Sequence, residues 1–112
     1  IYGMDPEKCL LFLRETLGGD FLRDKGAPEL LATLRVFFAN NQNVSEAARA
    51  LYIHRNTMVY RIEKFNRLTG LDCTKFEDGM KVGLALLAVK YLEKKAPEEL
   101  KKSYLLLTAE KK

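Results

Sequence analysis

At 112 residues, close to half of them apolar, the chain is sized for one modest hydrophobic core, and its formal charge of +4 is mildly basic, compatible with nucleic acid without demanding it. No stretch reaches the ~20 apolar residues of a membrane span, and the apolar run at 10–13 is too short and lacks the basic flank of a secretory signal. Plentiful Leu, Ala, Lys and Glu with no β-branched runs point to an all-α protein, a compact bundle of about five or six helices.

Residues Ile1 to Met4 read as a leader. The chain does not begin with Met and opens in a linker-like stretch, as expected of a piece of a longer protein. Asp5-Pro6-Glu7 announces a helix, with Asp as N-cap and Pro at the first helical position. Cys9, Leu10, Leu13 and Leu17 give it an apolar side, and Gly18-Gly19 stop it; the path of Asp20 to Gly26 is open. Pro28 and Glu29 start the next helix, running to about Asn40. Leu30, Leu31, Leu34, Phe37 and Phe38 form its apolar face, with both Phe rings expected in the core rather than as a platform for stacked bases.

Asn43 to Leu68 is the stretch around which the chain is organised. Asn43 is an N-cap, and Glu46 is placed for a capping-box-like return. Ser45 lies in the first turn with its hydroxyl outward, and Ala47, Ala48 and Ala50 keep this short helix thin. Tyr52-Ile53 then breaks the helix without the Gly such turns often contain. A second helix starts at His54 or Arg55, buries Met58, Ile62 and Phe65 at i, i+4, i+7, and ends at Thr69-Gly70. This leaves His54, Arg55, Asn56, Thr57, Val59, Tyr60, Arg61 and Lys64 at its leading end or on its outer side. Arg bonds bidentately to guanine and Asn to adenine. Thr57, Tyr60, Arg61 and Lys64 suit phosphates, which fix register. The segment holds five cations against two carboxylates, most of the chain's excess charge. Arg55, Arg61 and Lys64 should therefore form one basic strip with the Ser45 and Thr57 hydroxyls beside it.

After Gly70, Leu71 folds back onto the core. Thr74-Lys75-Phe76-Glu77 has the form of a capping box, and Phe76, Met80, Leu84, Leu87 and Tyr91 recur at helical spacing to about Lys95. Gly79 and Gly83 on this helix are expected at close helix contacts. Ala96-Pro97 breaks it, and a last helix starts at Pro97-Glu98-Glu99 with Leu100, Tyr104 and Leu107 along one side.

The stretch from Asn43 to Asp72, NVSEAARALYIHRNTMVYRIEKFNRLTGLD, resembles the C-terminal helix-turn-helix domain of the PucR family of bacterial transcription regulators, which includes purine-catabolism and sugar-diacid regulators. The flanking ELLATLRVFFANNQ and FEDGMKVGLALLAVKYL match the family's layout, so the likeness covers roughly Glu29 to Leu92. It departs at Gly19, where the family usually has Pro. YIHRNTMVYRIEK carries most of the specificity. A weaker similarity exists to the DNA-binding end of the nucleoid protein factor for inversion stimulation. The resemblance implies that His54 and Arg55 face bases with Asn56 beside them, that Thr57 and Tyr60 meet the backbone, and that an upstream sensory region accompanies the domain.

No catalytic constellation emerges. The one His, His54, lacks a Cys or carboxylate placed for a triad. Cys9 and Cys73 are far apart and show no paired-ligand spacing, which fits reduced thiols in the cytoplasm and neither metal nor cofactor. The expected layout is an N-terminal helix and linker over 1–27, the helix-turn-helix domain over 28–95 and a helical tail over 96–112. The expected partner is double-stranded DNA, with the full-length protein a homodimer or larger. The competing expectation is a helical protein-interaction module that does not bind DNA, in which carboxylates interrupt the basic strip.

Overall fold

Asp5 and Pro6 start the first helix as their chemistry requires: the Asp5 carboxylate accepts the Glu7 N–H at 3.1 Å, and Pro6 stands where no amide donor is needed. The structure, a computed structural model, describes residues 5–98 and residue 100. Among these, six helices follow one another: α1 Pro6–Leu17, α2 Gly19–Arg23, α3 Ala27–Ala39, α4 Val44–Leu51, α5 Arg55–Thr69 and α6 Phe76–Lys95. The all-α expectation holds. Residues 1–4 and the expected tail positions Tyr104 and Leu107 lie outside the described residues.

The segment left open by the sequence is α2, a single short turn of helix that buries Phe21 and Leu22. The Phe21 ring meets Phe65 edge-on at 5.2 Å, so α2 plugs the bundle beneath α5. α3 runs through the middle, with Leu30, Leu31, Leu34 and Phe37 buried. Phe38 is only partly buried and packs edge-on against Phe37. α5 packs against α4, α3 and α2, while α6 packs chiefly against α1 and also touches α3.

The five residues that recur at helical spacing on α6 divide: Phe76, Met80, Leu84 and Leu87 are exposed, whereas Tyr91 is buried together with Gly79, Val82, Ala85, Leu86, Ala88, Val89 and Leu92. The helix is apolar on both sides, and the side rich in small residues wins because it lets α1 approach closely. The expected capping box at its start is also absent. Thr74 spends its hydroxyl on Asp72 at 2.6 Å, and Lys75 becomes the N-cap residue without a side-chain cap. Asp78 of the first turn reaches back to the Asp72 N–H at 2.9 Å.

Gly79 does make a close contact, with the chain between helices rather than with a helix: a Cβ would come within 3.1 Å of the Gln42 amide nitrogen and 3.5 Å of the Cys73 carbonyl. Gly83 does not, since a Cβ there meets nothing within 4 Å. The α3–α4 turn is held by two consecutive left-handed residues, Asn41 and Gln42. The Gln42 side chain donates to the Cys73 carbonyl at 2.8 Å, joining this turn to the loop after α5. Cys9 and Cys73 are both buried free thiols, and no helix among the described residues is long and apolar enough to cross a membrane.

Candidate nucleic-acid interface

α4 and α5 form the helix pair expected from the sequence. Asn43 caps α4 by accepting the Glu46 N–H at 2.9 Å. The return half of the capping box is not made, because the Glu46 carboxylate pairs with Arg49 one turn on. α4 ends at Tyr52, which takes the left-handed conformation usually left to Gly. The Tyr52 and Ile53 amides donate back to the Arg49 and Ala48 carbonyls at 3.1 and 3.0 Å, closing the helix end despite the missing glycine. α5 then starts at Arg55, with His54 as N-cap: its Nδ1 accepts the Asn56 N–H at 3.0 Å. Met58, Ile62 and Phe65 are buried, as their spacing predicts, and Gly70 ends the helix at φ 76.

With that side anchored, His54, Arg55, Asn56, Thr57 and Tyr60 are exposed at the leading end and along the outer face of α5. Arg55 is steadied across the turn by donating its Nε–H to the Ser45 hydroxyl at 3.3 Å, which ties the two helices at the surface they share. Asn56, Tyr60, Glu63 and Arg67 follow at four-, three- and four-residue steps, so one ridge of α5 points directly away from the core.

Arg61 and Lys64 stand elsewhere. Arg61 turns toward α3, donating to the Thr33 hydroxyl at 3.1 Å and lying 3.7 Å from the Glu29 carboxylate. Thr33 is buried and itself donates to the Glu29 carbonyl, so this arginine sits in a prepared polar niche. Lys64 lies 3.6 Å from Asp24, at the end of α2. The single basic strip expected from the sequence is therefore interrupted on its inner flank by Glu29 and Asp24, the feature expected of the competing protein-interaction module, whereas among the described residues no carboxylate pairs with Arg55 at the leading end. Of the segment's five cations, Arg49, Arg61 and Lys64 each have a carboxylate partner. Among the described residues Arg55 and Arg67 have none, and both face solvent.

Two exposed residues escaped the sequence reading. Tyr52 is 96% exposed at the corner between the helices; its position in the break was visible, its exposure was not. Arg67 could have been found by stepping round the helix from Met58, Ile62 and Phe65, since it falls opposite all three. Among the described residues no group of His, Cys, Asp and Glu is placed to hold a metal ion.

The model of the PucR C-terminal helix-turn-helix domain matches residues 30–88, more than half of the chain. The chain is 34% identical over 67 residues to the proline-responsive transcriptional activator PutR of Bacillus subtilis, covering 60% of this chain and 16% of that protein. It is 37% identical over 75 residues to the purine catabolism regulatory protein of the same organism, covering 67% of this chain and 14% of that protein. A third relative, the carbohydrate diacid regulator of Escherichia coli, is 40% identical over 57 residues, or 51% of this chain and 15% of that protein. The chain thus spans 14 to 16% of the length of these relatives. No solved structure matches it. The polar leading end of α5, the tight α4–α5 corner and these alignments agree: the chain belongs to the PucR C-terminal helix-turn-helix family, the DNA-binding output domain of bacterial transcription regulators.

Proposed function

We propose that α5 enters the major groove of double-stranded DNA leading end first, with His54, Arg55 and Asn56 toward base edges and Ser45, Thr57 and Tyr60 toward the sugar-phosphate backbone. A helix entering end-on reads bases with its first-turn residues. The observation that supports this reading most is that Arg55 faces solvent without a carboxylate partner among the described residues, yet is steadied by Ser45. A guanidinium held in place but not neutralised is suited to bidentate contact with guanine. Arg61 and Lys64 brace α5 on α3 and α2, and from that flank they meet phosphates while adding to the local field. The full-length regulator acts as a cytoplasmic homodimer or larger assembly on repeated half-sites and has no catalytic role of its own.

Selecting bound duplexes from a random pool identifies the cognate site. On that site Arg55→Ala loses ~1–3 kcal/mol and blurs the preference at one base pair. Titration of cognate and random duplexes checks this. An equal loss on both assigns Arg55 to the backbone instead. No retention of any duplex at low salt by the unaltered chain would favour the protein-interaction module.

A further inference from the structure

The corner between α4 and α5 holds a residue that the fold itself does not ask for. Tyr52 takes φ 57 and ψ 40, a left-handed conformation that glycine adopts without strain and that a residue with a Cβ resists. The bonds that close the corner are made by backbone: the Tyr52 N–H donates to the Arg49 carbonyl at 3.1 Å and the Ile53 N–H to the Ala48 carbonyl at 3.0 Å. Glycine in place of Tyr52 would keep both. The ring is 96% exposed, and no hydrogen bond or ring contact joins it to another described residue. Ile53, the next residue, turns back onto the core instead. A strained backbone and a large ring in water thus coincide at one position, and packing offsets neither. Residues held in sparsely populated backbone conformations cluster where a protein meets its ligand.

We propose that Tyr52 is a phosphate contact, its phenol O–H donating to the DNA backbone at the edge of the groove that α5 enters. This rests on the DNA reading above and adds to it a residue that belongs to neither helix. Position supplies the first argument. In a helix-turn-helix the first helix crosses the sugar-phosphate backbone and the second lies in the groove, so the corner joining them passes from one to the other. Tyr52 precedes His54, the α5 N-cap, by two residues and Arg55 by three, and all three are exposed. The side chain supplies the second. Tyrosine joins an apolar ring to one polar tip and has only two torsions to immobilise on contact, and its hydroxyl is among the groups that bond phosphate. A neutral donor at this place fixes register without adding to the electrostatic attraction.

Equilibrium titration of the whole chain on its selected cognate duplex and on random duplex tests this. Tyr52→Phe keeps the ring and removes the donor, and it should weaken binding about tenfold on both duplexes. The slope of log K against log salt should stay the same, because a neutral phenol releases no counterion. Tyr52→Gly relieves the backbone, so it should melt no lower than the unaltered chain and yet bind no better than Tyr52→Phe. Replacing the phosphates one at a time by uncharged methylphosphonate should reveal a position at which the unaltered chain and Tyr52→Phe bind alike. If Arg55→Ala loses discrimination while Tyr52→Phe binds like the unaltered chain, the DNA reading stands and the Tyr52 contact is overturned. A loss confined to the cognate duplex overturns it too, by placing the hydroxyl on a base. Retention of no duplex by the unaltered chain overturns both.

Discussion

Tyr52 holds φ 57 and ψ 40 in the corner between α4 and α5 with its ring almost wholly in solvent. An L-residue with a Cβ is disfavoured in this conformation by roughly 1–2 kcal/mol, and glycine is not. Glycine also gains freedom in the unfolded chain, so Tyr52→Gly should stabilise the domain by a net of about 1 kcal/mol, read from the urea midpoint. A loss of stability would mean the ring makes contacts that its exposure conceals. Cys73 offers a second test. Burial pushes its thiol from the ordinary 9.0 up to about 11, aided by the neighbouring Asp72 carboxylate. Between these two values the unfolded chain releases the proton and the folded chain keeps it, so stability present below pH 9 falls as the pH rises toward 11. Melting temperatures of the unaltered chain and Cys73→Ala should converge over this range. At this scale Met58, Ile62 and Phe65 were legible, because a 3.6-residue period sets which side chains share a face. The pairing of Arg61 with Glu29 was not, since α3 and α5 meet only through tertiary packing.

The glycines of α6 separate two costs that look identical in the sequence. Gly79→Ala should destabilise by about 1 kcal/mol, because the new methyl displaces the Gln42 amide from its bond to the Cys73 carbonyl. Gly83→Ala should raise stability by up to ~1 kcal/mol, the helix propensity difference, since the position is open within the chain. Thermal melts of the two variants at low protein concentration check the opposite signs. Five of the six helices announced themselves through caps, breakers and apolar spacing. α2 did not, because five residues are too few to show a period. The inner side of α6 was not legible for a related reason. Its large residues dominate any pattern search, but Val82, Ala85 and Val89 allow the closer approach of α1 and are the ones buried. The start of the same helix was misread because Asp72 competes successfully for Thr74.

Across the whole molecule, charge is arranged less simply than the net +4 implies. Two carboxylates from outside the helix pair, Asp24 and Glu29, temper the flank of α5 and leave its leading end the more positive part. Asp24→Asn should therefore bind every duplex more tightly and steepen the dependence of log K on log salt by about one. The substituted amide oxygen can still accept the Gly26 N–H that Asp24 now accepts at 2.8 Å, so the turn before α3 should survive. Filter binding at several salt concentrations reads both effects, and unchanged slopes would place Lys64 outside the phosphate track.

The bond from Gln42 to Cys73 has a consequence for how this region opens. It joins the residue before the Asn43 cap to the loop after Gly70, and Asn66 holds the same loop by accepting the Cys73 N–H at 3.1 Å. α4 and α5 are thus enclosed between two fastened ends. Their amide hydrogens should exchange with deuterium as one cooperative block, at a rate distinct from that of α1. Gln42→Ala would release one fastening and split that block in two.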